Sequence, residues 1–305
     1  LGERREIMKS KIWKFLGFLF LMMIVVNLIL SIISTILPVR FESPSSVVEA
    51  PHYFNFVLGN FRFSLSQTVL DTWVIMLIII FLVRKGTKNI SVENPSKMQI
   101  IMEEYYHFIE NTFLTTFGKH KKNYIPFFSA LFIFIMFSNL STFLFPFIMM
   151  GVTENGVKTI KPFFRTPTAD PNTTIGLSLI VIVIFLAVSI KQHGLKGYIK
   201  TLFEPMWFMF PLNVVDIFSK VLNTSMRLFG NMLAGLVIVG LLYSLVGRGM
   251  LQSLTHDMLK GSFSFSVGWP MLIQLYLDLF IGIVQAFVFT ILSSVYVSEA
   301  LGEEE

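Results

Sequence analysis

Apolar residues run along this chain in blocks about as long as a bilayer is thick, with the polar residues gathered between them. The first block, residues 12–37, is broken only by Lys14, Asn27 and small polar side chains, and follows Arg4, Arg5, Lys9 and Lys11. A basic lead of this kind faces the cytoplasm, so the block predicts a first span with the amino terminus inside. It is long for a signal peptide and lacks a small-residue cleavage triplet, so it reads as retained. Residues 38–67 mix Pro, Ser, Glu and aromatics and predict an external loop. Residues 69–83 predict a second span, with Trp73 near one boundary and Arg84, Lys85 and Lys88 at the other.

The next segment has a different period. In residues 97–118, Met98, Ile101, Met102, Tyr105, Ile109, Phe113 and Phe117 recur at helical spacing, while Glu103, Glu104, His107 and Glu110 share another side. This predicts an amphipathic helix on the cytoplasmic surface that returns the chain without crossing. Two further spans follow at 125–149 and 173–190, neither with a charged residue, separated by an external loop rich in Gly, Pro and Thr. Lys191, Lys196 and Lys200 return the chain to the inside, which gives the order in, out, in, out, in.

From 202 to 298 the pattern no longer fits ordinary spans. A single helix over residues 212–246 would be about 50 Å long at 1.5 Å per residue, whereas a perpendicular crossing needs about 30 Å. The excess predicts either a kinked hairpin or a helix tilted well beyond the usual average of about 20°. The same excess recurs over 263–298, and residues 247–262, with Gly247, Arg248, Gly249 and Gly261, predict the turn between the two. The expected fold is an all-α polytopic membrane protein forming a single domain over 1–305. It comprises an N-terminal span, a surface amphipathic helix, three ordinary spans and two long, strongly tilted helices.

Composition agrees with that class: 54% of the 305 residues are hydrophobic and only 14% charged. The net charge of +5 comes from short basic flanks, and no basic patch is interleaved with aromatics as in a single-strand nucleic-acid binder. There is no Cys, and no set of residues has metal-site spacing. The glycines of GNMLAG lack both the Gly-Lys-Ser/Thr ending and the preceding strand of a phosphate loop. Gly230, Ala234 and Gly235 there fit close approach of another helix.

Two polar stripes stand out on the long apolar helices. Asp216, Lys220, Arg227 and Asn231 are spaced by four, seven and four, and Gln274, Asp278 and Gln285 by four and seven. An arginine at mid-membrane costs roughly 2.5 to 3.5 kcal/mol on insertion scales, so such residues line a bundle interior or aqueous path, or meet a partner. Arg227 keeps its proton, so it can attract a carboxylate, loosen that carboxylate's hold on an ion and block leakage, but it cannot relay a proton by losing one. The bland alternative is a static pair of Arg227 with Asp278 or Asp216. Lys220 either snorkels to headgroups or lines the mouth of a path. Asn231 and Gln285 either bridge helices or orient Arg227, Gln274 either lines the ion path or only bridges helices, and Asp278, the sole carboxylate of its helix, is a candidate to exchange protons or sodium along an outer path. A self-contained channel or secondary transporter is the competing class.

The sequence resembles the a subunit of the membrane sector of F-type rotary ATP synthases. The motifs that carry the likeness are PLNVVD at 211–216, SKVLNTSMRLFGNMLAG at 219–235, PTADPNTT at 167–174 and QAFVFTILSSVYVSEA at 285–300, and it covers roughly 61–300. The resemblance implies a stator subunit whose two long, nearly horizontal helices hug a ring of c subunits. In that family an arginine matching Arg227 faces the ring carboxylates between two offset half-channels. Asn231, Gln285, Asp278 and Lys220 match further polar positions of the family's path. It also implies partnership with the b subunits of a peripheral stalk and, indirectly, the F1 head, which does the ATP chemistry. The chain itself would have no catalytic site and no bound cofactor, and the translocated ion would be H+ or Na+. The setting implied is a bacterial inner membrane, with both termini cytoplasmic. Leu236, nine residues after Arg227, departs from the acid or histidine frequent there, and NLSTFLFP at 139–146 departs from the Gly and Pro common after that asparagine.

Overall fold

The computed structural model describes residues 40–41, 52–58, 61–88, 90–144, 149–154, 157–162, 165–204, 206–254 and 275–302. The expected span at 12–37 and the position of Gln274 lie outside them. Six α-helices are described: α1 (Gln67–Thr87), α2 (Lys97–Phe113), α3 (Lys121–Leu144), α4 (Pro171–Thr201), α5 (Phe210–Leu254) and α6 (Gly282–Leu301). A π-helical segment, Leu275–Ile281, leads into α6. Among the described residues five helical stretches are long and apolar enough to cross a membrane, so this is a helical, multi-pass membrane protein.

The chain divides into two compact units. One comprises residues 49–142, 165–234 and 277–305 and holds α1, α2, nearly all of α3, α4, the first part of α5 and all of α6. Its core lies where α4 meets α6, with Val181, Ile182, Phe185 and Val188 facing Ala286, Phe289 and Val297, all buried. Buried Thr290 and Ser293 hand their hydroxyl protons to carbonyls one turn back on α6, so their polarity is satisfied inside the helix. Aromatic rings tie α2 to the rest, with Phe113 5.4 Å from Phe132 and 5.3 Å from Phe287. The outer faces stay apolar and open: Trp73, Leu77 and Phe81 of α1 are more than half exposed, as suits a lipid boundary. The other unit, residues 1–48, 143–164 and 235–276, contains the far part of α5 and a small sheet.

Several boundaries differ from the sequence pattern. The stretch 38–67 carries strands β1 (Arg40–Phe41), β2 (His52–Leu58) and β3 (Phe61–Ser66), the last two forming an antiparallel hairpin. The span expected over 125–149 ends at Leu144, and Met149 already belongs to β4 (Met149–Glu154). β4 pairs antiparallel with β5 (Val157–Pro162), which pairs parallel with β1. Short strands satisfy their backbone through cross-strand pairs, so apolar content alone does not separate them from a helix end.

The amphipathic helix stops at Phe113 instead of 118: Leu114 leaves helical dihedrals, and burial of Leu114 and Phe117 turns the chain into α3. α4 extends past 190 to Thr201 but is interrupted at Gly194, whose φ of 69° with ψ of 161° is a conformation only glycine adopts cheaply. α5 runs 45 residues, continuing through Gly247, Arg248 and Gly249, where the turn was expected. Glycine costs a helix about 1 kcal/mol, which a long cooperative apolar helix absorbs.

Candidate functional site

α5 carries the first polar stripe, and its fold explains which side chains are presented. Asn213 fixes its start by donating to the carbonyls of Leu202 at 2.8 Å and Glu204 at 3.2 Å. Thr224, Ser225, Leu228 and Met232 point inward, the two hydroxyls bonding to the carbonyls of Lys220 and Leu222 on their own helix. Leu222, Met226, Gly230 and Ala234 form an exposed stripe on the other side. Arg227 sits at the border between the two and is half-buried. Its guanidinium donates to Asn223 Oδ1 at 3.3 Å, one turn back on the same helix. Among the described residues no carboxylate lies within salt-bridge reach of it, so the static pair with Asp216 or Asp278 is not formed.

Asn231 is exposed one turn beyond Arg227, and Gln285 is half-buried on α6. Gly230 is open as well: a Cβ placed there would have no atom of this chain within 4 Å. Gly235 and Leu236 are half-buried.

Lys220 is turned into the helix bundle. Its side chain is only 15% exposed and donates to Glu299 Oε2 at 3.0 Å on α6, with Asp216 Oδ2 at 3.2 Å one turn back on α5. The ammonium also lies 5.2 Å from the ring centre of Phe185 and 5.5 Å from that of Tyr296. Glu299 went unremarked in the sequence because it lies 79 residues from Lys220 and at the end of an apolar run.

Asp278 lies half-buried within the π segment, a helical irregularity frequent at functional positions. Just past it, the Gly282 carbonyl accepts from Asn139 Nδ2 at 2.8 Å, and Asn139 Oδ1 accepts from Thr168 Oγ1 at 2.5 Å. A Cβ on Gly282 would stand 3.2 Å from that of Asn139, so the two helices meet closely there.

A second buried polar cluster, absent from the sequence reading, joins α1 to the start of α4. Asp71, fully buried, accepts the Arg165 backbone N–H at 3.0 Å, while Thr68 donates to Asp170 at 2.8 Å. Burial lowers the proton affinity of the Arg165 guanidinium, and the charges of Asp170 and Asp71 oppose that. The signal available in the sequence was Asp71 itself, the lone carboxylate in its span.

The family model described as ATP synthase A chain matches residues 69–298. A curated relative from Propionigenium modestum, "ATP synthase subunit a, sodium ion specific", is 40% identical over 84% of this chain and 83% of its own length. "ATP synthase subunit a" of Moorella thermoacetica is 29% identical over 76% of this chain and 89% of its own. Its counterpart from Desulforamulus reducens is 29% identical over 78% and 80%.

Proposed function

The chain belongs to the ATP synthase A chain family, the non-catalytic stator subunit of the Fo sector through which ion translocation is coupled to rotation, and on that premise we propose that Arg227 is its gating charge. The observation that carries this is the half-buried guanidinium of Arg227, which among the described residues bonds along its own helix, to Asn223, at the edge of an exposed face. A cation so held keeps its charge available to a carboxylate arriving from outside the chain. The exposed strip of Gly230 and Ala234 gives such a neighbour room for close approach.

In this reading a ring carboxylate opposite Arg227 is favoured as the anion and gives up its ion to one path, and it reloads from the other after moving on. Each elementary charge crossing 100 mV supplies about 2.3 kcal/mol, which the fixed cation keeps from dissipating as leakage. Asn223 and Asn231 flank the guanidinium, Gln285 faces the same path from α6, Asp278 exchanges ions beyond it, and Lys220 marks the opposite end. The c-subunit ring, the b subunits and, indirectly, the F1 head are the partners, in a bacterial inner membrane with both termini cytoplasmic. Arg227→Ala in the assembled complex is expected to abolish ATP synthesis driven by an ion gradient, and intact coupled synthesis would overturn the assignment.

We also infer sodium as the coupling ion, because a relative 40% identical over most of both chains is described as sodium ion specific. ATP hydrolysis by the intact complex is then expected to rise several-fold with sodium at neutral pH. A rate indifferent to sodium but steeply dependent on pH would point to protons.

A further inference from the structure

Lys220 is largely enclosed by the helix bundle, and the groups around it outweigh its charge. Two carboxylates, Asp216 and Glu299, stand 3.2 and 3.0 Å from a single ammonium and leave one unit of negative charge on the cluster. The ammonium is enclosed at 15% exposure against Phe185 and Tyr296, whereas both carboxylates are about 60% exposed. The positive charge therefore faces inward and the negative charge faces out. Phe185 precedes Lys191 by six residues on α4, so the cluster lies about 9 Å along the helix from the basic end of the bundle. Arg227 stands two turns deeper on α5, about 10 Å away along its axis.

We propose that Asp216, Lys220 and Glu299 form a net-negative cation funnel at the basic end of the ion path, in which Lys220 anchors two outward carboxylates and is not itself a barrier to cations. The proposal rests on the reading of Arg227 as the gate of that path. A lone lysine at the mouth would repel the ions the path must take up. With Glu299 tying α6 to α5 through the same ammonium, the mouth instead concentrates cations and keeps its two walls in register. One unit charge about 7 Å away in water changes a cation's local concentration about threefold at low salt. At physiological ionic strength the Debye length of about 8 Å weakens this.

The test is a charge series in the assembled complex, reconstituted with F1 outside so that ATP-driven uptake draws ions in through this end. Uptake is measured at subsaturating ion concentration and about 10 mM ionic strength. Glu299→Gln, a neutral cluster, is expected to slow uptake about threefold, and Asp216→Asn with Glu299→Gln, net positive, about tenfold. Lys220→Gln, which loses the anchor yet leaves two negative charges, is expected to slow uptake less than Glu299→Gln does. The triple neutral variant should match Glu299→Gln, and choline chloride at about 0.5 M should bring all of them within twofold of each other. If Lys220→Gln is slowed as much as the Asp216/Glu299 double variant, the cluster is a structural clasp and the funnel is refuted. Native rates across the series refute it as well. Should the double variant not assemble, the contrast between Glu299→Gln and Lys220→Gln decides the question. An Arg227→Ala complex that still pumps would instead overturn the reading of the path.

Discussion

Asn139 and Gly282 lie 143 residues apart in sequence and are joined by a 2.8 Å hydrogen bond from the Asn139 amide to the Gly282 carbonyl. The Thr168 hydroxyl occupies the amide's other face, so one fully buried side chain fixes α3, the start of α6 and the turn before α4. This contact sits at the end of the π segment that holds Asp278. Asn139→Leu leaves the Gly282 carbonyl and the Thr168 hydroxyl without this partner and is expected to cost about 1–3 kcal/mol. Thermal unfolding of the detergent-solubilised complex measures it, and an unchanged midpoint would show that the bond does not hold the helices. Gly282→Ala, with a 3.2 Å approach relieved by a shift of a few tenths of an ångström, is expected to be milder.

Asp71 accepts the Arg165 N–H inside the protein, and removing its carboxylate takes away an acceptor and a compensating charge together. Asp71→Ala leaves the Arg165 N–H without its acceptor and is expected to cost about 1–3 kcal/mol, and Asp71→Asn, which keeps an acceptor oxygen, clearly less. The amount of subunit in the membrane by immunoblot is the readout, with Asn above Ala. Equal levels for both would place the cluster outside the folding energetics.

The Gly194 backbone, at φ 69° and ψ 161°, strains any residue with a Cβ. Gly194→Ala is expected to cost about 1–3 kcal/mol, or to straighten α4 and displace Lys196 and Lys200. Faster limited proteolysis in the segment after 194 reports either result, whereas wild-type cleavage would mean that the kink is not required.

Tyr105 on the surface helix donates its hydroxyl proton to the Ser129 carbonyl at 2.6 Å, and burial raises its ionisation above the usual value of 10.0. Its folded form holds the proton more tightly than its unfolded form. The stability this contributes is therefore present below pH 10 and is lost as pH rises from there toward the raised value. The attachment of α2 is expected to loosen in alkali, and Tyr105→Phe to lose about 1 kcal/mol at neutral pH together with that pH dependence. Hydrogen exchange of residues 97–113 between pH 8 and 11, corrected for intrinsic exchange, distinguishes the two proteins.

Features governed by local period and charge were readable before any coordinates. Met98, Ile101, Tyr105 and Ile109 announce a one-sided helix because spacing alone sets a face, and Arg84 or Lys191 mark a span end because charge is excluded from lipid. Features that turn on backbone detail were not. Nothing in the composition of 145–162 tells a helix end from a hairpin, and Gly247 to Gly249 look like a turn while lying in a helix. At the site, Arg227 and Asn231 were legible as a stripe, but Asn223, four residues before the arginine, was passed over although it bonds to it.

The sequence by itself determined that this is a multi-pass helical membrane protein with an arginine set within a long apolar tract, because the cost of placing charge and bare backbone in hydrocarbon is paid residue by residue and leaves its mark in order along the chain. Only the tertiary structure decided what each polar group meets: Lys220 with Glu299, Asp71 with the Arg165 N–H, Asn139 with the Gly282 carbonyl. Those pairings depend on which helices lie side by side and at what height. Many distant partners are equally compatible with local pattern, and close packing of the whole bundle selects among them.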